Sequence, residues 1–182
     1  MTKTLKTAFG AVILACLFVA QIAQADESPI FITYTGTIDD LPDDSNGDGI
    51  RAIVVHGQSQ GSFGPSMTSI VSEYVPYPPK FGTCPSADDL YAIFMYSTAV
   101  VTFKNGDQLD VNVREGWFCV DLVTGVFEGE TRGDFIGGTG RFTNATGEFV
   151  STFTGKEFQI ALMKPTAVER IDGVVEGTIN LQ

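Results

Sequence analysis

The chain has 182 residues, 43% of them hydrophobic, and a formal net charge of −11 at neutral pH. So acidic a chain lacks the basic footprint that nucleic acid or an anionic membrane surface requires, which argues against both as partners. The acid is read as a solubility feature, and the length suits a single domain with a core of its own.

The stretch "MTKTLKTAFGAVILACLFVAQIAQA" sets Lys3 and Lys6 ahead of an unbroken apolar run from Ala8 to Ala20. It ends on Ala23-Gln24-Ala25, a small-x-small cleavage signal, and Asp26 follows. This is the layout of a secretory signal peptide over residues 1–25, leaving a domain at 26–182. The apolar core is short for a span of roughly 20 residues, and no positive charge follows it. Cleavage is therefore preferred to a retained anchor, and a secreted or periplasmic product without a stable membrane anchor is expected. Cys16 does not read as a lipidation site, because Leu14 stands where such sites carry a small residue and apolar residues continue past the cysteine.

After the leader the pattern has period two. "IFITYTGTI", "RAIVVHGQSQGSF", "MTSIVSEYVPY", "YAIFMYSTAVVTF", "DQLDVNVRE", "FEGETRGDF", "GEFVSTFTG" and "GVVEGTINL" all read as strands, rich in β-branched and aromatic residues. Phe127, Gly129, Thr131, Gly133 and Phe135 share one face of the sixth, and Leu109, Val111 and Val113 share one face of the fifth. About eight strands without helical periodicity predict an antiparallel barrel or sandwich, and closure into a barrel removes exposed edges.

Between the first two strands lies "DDSNGDGI". Asp44, Asn46 and Asp48 alternate, with Gly49 next, as in the first half of a calcium loop. The bidentate Glu of that motif would fall on Val55, inside a strand. A plain Asx-rich turn is preferred, and no cofactor is expected; calcium is the metal these three residues would take.

Two residues are candidates for acid–base work. His56 is the sole histidine and sits on the second strand; a hydrogen-bonded strand histidine competes with a general base. Glu73 shares parity with Met67, Val71, Val75 and Tyr77. On a lumen wall it would carry a raised pKa and shuttle a proton, whereas on the outer wall it is solvated. No G-x-S-x-G elbow and no His pair supports a hydrolase.

Two cysteines remain after the leader, Cys84 and Cys119, and an exported chain most simply pairs them. "KNGD" at Lys104–Asp107 predicts a hairpin, with Asn-Gly suited to a type I′ turn.

The most conspicuous stretch is "GGTGRFTNATGEF", Gly137 to Phe149. Its glycines allow a sharp turn, and Phe142 is placed to plug the end of a barrel within a single helical turn. A phosphate cradle would need a helix to run on from the glycines, and a strand follows instead. "NAT" at Asn144–Thr146 also fits the glycosylation acceptor pattern, which is frequent by chance.

This stretch resembles the glycine-rich turn of the allene oxide cyclase and dirigent barrel superfamily, and in particular its exported bacterial members described as allene oxide cyclase barrel-like. The matching positions are Gly138, Gly140, Arg141, Phe142, Ala145, Gly147 and Phe149. The resemblance implies an eight-stranded antiparallel barrel whose lumen holds a small apolar molecule, and a homo-oligomer by analogy with trimeric plant members. It transfers no catalytic residue. Three functions follow as expectations: a binder of a small hydrophobic molecule, a cyclase or isomerase that works by orienting its substrate, and a structural or adhesive barrel filled by its own 14 Phe side chains.

Overall fold

The computed structural model describes residues 27–41, 49–77, 84–85, 89–159 and 167–182. Eight strands run in chain order: β1 (Glu27–Leu41), β2 (Arg51–Gly61), β3 (Gly64–Tyr77), β4 (Leu90–Phe103), β5 (Gln108–Val120), β6 (Val126–Gly138), β7 (Thr146–Gln159) and β8 (Ala167–Asn180). Each pairs antiparallel with the next, and β8 returns to β1 to close the barrel. Of the antiparallel barrel and sandwich that the alternation left open, the eight-stranded barrel is the fold.

Alternation sorts the side chains into a lumen face and an outer face. Phe127, Gly129, Gly133 and Phe135 of β6 are buried inward, as their spacing predicts. Three extra residues interrupt the parity, one of them on β6 itself, where Ile136 and Gly137 face Asp110 alone between the Leu109–Gly138 and Val111–Phe135 pairs. Glu73 pairs with Tyr96 and Tyr74 with Phe94, so Met95 is left over. Val113 pairs with Gly133 and Glu115 with Arg132, so Arg114 is left over. Each bulge lets its strand keep an inward series on both sides of the irregularity. That is why β5 continues to Val120 with Phe118 and Val120 facing inward, five residues beyond the end expected at Glu115.

Two turns differ from expectation. β2 stops at Gly61, and Phe63 lies in the turn to β3 instead of on a strand. The β4–β5 hairpin is a three-residue loop in place of a type I′ turn. Gly106 N–H donates to Phe103 O at 2.9 Å, Phe103 N–H donates to Asp107 O at 2.9 Å, and Gly106 alone has positive φ, at 90°. Asn105 keeps negative φ because its own amide is engaged: Oδ1 accepts from Asp107 N–H and Nδ2 donates to Asp107 Oδ2.

The turn from β6 to β7 closes one end of the barrel. Gly140–Phe142 form one 3-10 turn, entered through Gly138 at φ 149° and Gly140 at φ 58°. It drives Phe142 fully into the barrel. Phe142 stacks on Phe103 and meets Phe63 edge-on. Arg141 covers this plug from outside, its guanidinium carbon 4.8–5.0 Å from all three ring centroids. It also pairs with Asp107 at 3.6 Å and donates to Phe63 O at 3.2 Å.

Cys84 and Cys119 are joined as a disulfide. Cys119 lies between inward-facing Phe118 and Val120, so the bridge ties the segment after β3 to the outer side of β5.

Candidate functional site

The lumen is not filled. The Phe63, Phe103 and Phe142 plug occupies one end, beneath a floor that includes Val101, Leu109, Phe135 and Phe149. Above the floor lies a cavity of about 300 Å³ that runs toward the opposite rim, where Arg51, Leu90 and Leu122 border it. This is the low end of the size range for small-molecule sites. It is about twice the ~150 Å³ space that takes a benzene ring, which corresponds to roughly twelve ligand heavy atoms.

One part of the wall is aromatic. Rings follow one another across the strands as Tyr74, Phe118, Phe94, Phe153 and Phe127, with centroids 5.2–6.5 Å apart. Space for the rings comes from glycines on neighbouring strands. Gly129 is the register partner of Phe153, and Gly155 of Phe127; a Cβ at either glycine would fall on that ring. Inward glycines in the sequence are thus ring-sized vacancies.

The other element of the wall is hydroxyl. Ser72 and Ser97, both buried, share a hydrogen bond of 2.6 Å across β3 and β4. Tyr34 of β1 and Ser151 of β7 share a longer one of 3.3 Å. Thr68 bonds Ser59 at 2.6 Å nearer the plug. Burial pushes the Tyr34 hydroxyl above its ordinary pKa, and the Ser151 bond offsets part of that rise. Tyr34 is therefore neutral at physiological pH. Among the described lining residues Arg51, at the rim, is the one that carries a charge, so the body of the lumen is uncharged.

The residues singled out from the sequence do not gather here. His56 is exposed on the outer wall, with Nδ1 3.2 Å from Ser69 Oγ. Glu73 is also exposed on the outer wall, beside Tyr96. The face of β3 that it shares with Met67 and Val71 is the solvent face; both are exposed. The lumen side of β3 holds Ser66, Thr68, Ile70, Ser72 and Tyr74 instead. Asp44, Asn46 and Asp48 lie outside the described residues. Gly138, Gly140, Arg141, Phe142, Gly147 and Phe149 all belong to the plugged end: Phe142 seals it, Phe149 packs into the floor, and Gly147 is the second residue of β7, at φ 147°. Tyr34, Ser72, Ser97, Ser151 and Arg51 were not anticipated. Parity with Ile32 and Ile38 would have pointed to Tyr34.

Fold and cavity define a closed eight-stranded barrel plugged at one end around an apolar, hydroxyl-bearing lumen. No family model matches the chain, and no curated protein matches it. One solved structure, that of a pterocarpan synthase dirigent protein, is similar at 13% identity and a TM-score of 0.37, covering 86% of this chain and 87% of that one. At that level the likeness carries no argument, and the fold assignment rests on the strand register itself.

Proposed function

We propose that this protein is an exported barrel that holds a small hydrophobic molecule in its lumen. The cavity of about 300 Å³ between the phenylalanine plug and the far rim carries the reading. Affinity comes from burying apolar ligand surface, at roughly 25 cal/mol per Å² before ordering costs. The leader-like residues 1–25 and the Cys84–Cys119 disulfide support export, because such bonds persist in oxidising compartments.

Equilibrium dialysis of naphthalene against the purified protein tests this. Saturable binding that is lost in Ala99→Phe, which grows a ring into the cavity, is the expected result. Ala99 lines the lumen and is buried. Absence of saturable binding, or binding unchanged in an Ala99→Phe protein that melts cooperatively, sinks the proposal.

A second reading, a cyclase or isomerase, is favoured by one observation. The neutral Tyr34 hydroxyl, desolvated and held by Ser151, is a hydrogen-bond donor placed beside a bound molecule. It predicts that Tyr34→Phe removes turnover of a bound substrate while leaving its affinity within a few-fold.

A further inference from the structure

The ligand class can be narrowed from the polar groups of the lumen, on the assumption that the lumen is the binding site. Two hydroxyl pairs line its body, and a third, Thr68 with Ser59, lies nearer the plug. Ser72 and Ser97 bridge β3 and β4, and Tyr34 and Ser151 flank β8 from β1 and β7. In a closed ring of eight strands, β8 and the β3–β4 seam are on opposing sides, so the pairs occupy opposite walls.

A hydroxyl pair places one hydrogen between its two oxygens and leaves the second hydrogen for another acceptor. In an apolar cavity a donor without an acceptor is costly. Each wall therefore presents one O–H donor to whatever fills the space. The surroundings are flat rings, among them Phe94, Phe118 and Phe153. Flat ligands stack on such rings. No carboxylate or ammonium of the described residues lines the body of the cavity, which leaves a charged ligand unpaired there.

We propose that the lumen selects a flat, neutral, two-ring molecule with acceptor oxygens on opposite edges, the chemistry of a bicyclic dione such as a naphthoquinone. About twelve heavy atoms fit the space, the aromatic belt takes the ring faces, and the two hydroxyl pairs take the oxygens. Naphthalene has the rings without the oxygens and so separates shape from hydrogen bonding.

The experiment measures 1,4-naphthoquinone and naphthalene by equilibrium dialysis against the disulfide-bonded protein, with Ser72→Ala, Ser151→Ala and Ala99→Phe variants. The expected result is that each serine variant weakens quinone binding about fivefold, the usual worth of one hydrogen bond. Naphthalene affinity should stay within about twofold, and Ala99→Phe should abolish both. Equal losses for the two probes in the serine variants, or no loss for either, overturn the proposal and leave the lumen reading standing. Quinone binding that survives Ala99→Phe lies outside the lumen and overturns it as well. Failure of both probes to bind overturns the lumen reading and this one together. If Ser72→Ala folds poorly, Ser97→Ala tests the same wall.

Discussion

Phe142 lies stacked on Phe103, with centroids 4.9 Å apart and planes 27° from parallel. One ring comes from a turn between strands and the other from the last residue of β4, so the contact joins the β6–β7 turn to the β4–β5 hairpin. Arg141 lies over both rings. The end of the barrel is therefore sealed by a layered cation and ring assembly contributed by three separate turns.

Phe142→Ala is expected to cost about 3–5 kcal/mol, because the ring is fully buried and its neighbours are held by strands that cannot collapse inward. Asn144→Ser, on an exposed turn position, should stay within about 0.5 kcal/mol. Urea melts of the two variants provide the comparison. If Phe142→Ala melts like the parent, Phe142 is not a structural plug.

The glycines before it should not be equivalent. A Cβ at Gly138 would strike the backbone carbonyl of Gln108, which belongs to a paired strand. A Cβ at Gly140 would strike the Asp107 carboxylate, a side chain that can swing away at the expense of its Arg141 pair and its Asn105 hydrogen bond. Both positions also have φ in the range that disfavours a side chain. Gly138→Val and Gly140→Val should each lose at least about 1–3 kcal/mol, with Gly138→Val the worse. Gly64→Asn, at φ 90° with open space around it, should be milder than either in the same denaturant series.

The disulfide spans 35 residues of sequence. In the chain-entropy picture a loop of that size stabilises the fold by about 3–4 kcal/mol. Intact mass with and without reductant should show the oxidised form in protein isolated from an oxidising compartment. A Cys84→Ser, Cys119→Ser double variant should melt earlier by that amount. Two free thiols in freshly isolated protein would contradict the pairing.

Alkaline pH should weaken the fold through Tyr34. Its folded pKa is raised above the ordinary value of 10.0 by burial. Below about pH 10 both states are protonated and the contribution is complete. As pH rises past the unfolded value, the unfolded chain releases the proton first, so stability falls. Tyr34→Phe should lose roughly 1 kcal/mol near neutral pH from the Ser151 bond. It should then show a shallower decline than the parent between about pH 9 and pH 11, read by urea midpoints at each pH. A decline of equal slope would place the titration elsewhere.

The barrel was legible because alternation survives in most strands, most plainly in "FEGETRGDF", where Phe127 and Phe135 bracket small inward residues. The plug was legible because glycines at left-handed positions and a lone Phe between them leave few other uses. The lumen wall was not legible on β3. There Met67 and Val71 face solvent while Ser66, Thr68 and Ser72 face inward, an inversion of the usual sorting. Hydropathy alone therefore left both walls open for Glu73, and the outer, solvated one is where it stands. The inversion follows from an interior that is partly open: hydroxyls there bond one another, so the wall needs no continuous apolar surface. The bulges at Met95, Arg114 and Ile136–Gly137 hid the rest, because a single extra residue reverses parity without marking the sequence.

The seam between β1 and β8 sets when the molecule becomes whole. Ile30 pairs with Gly177 and Glu27 with Asn180, so the ring joins segments from opposite ends of the described chain. A ribosome must synthesise β8 before that join exists, and every shorter nascent chain exposes two raw strand edges. Pairing at such sequence distance is also slow to find.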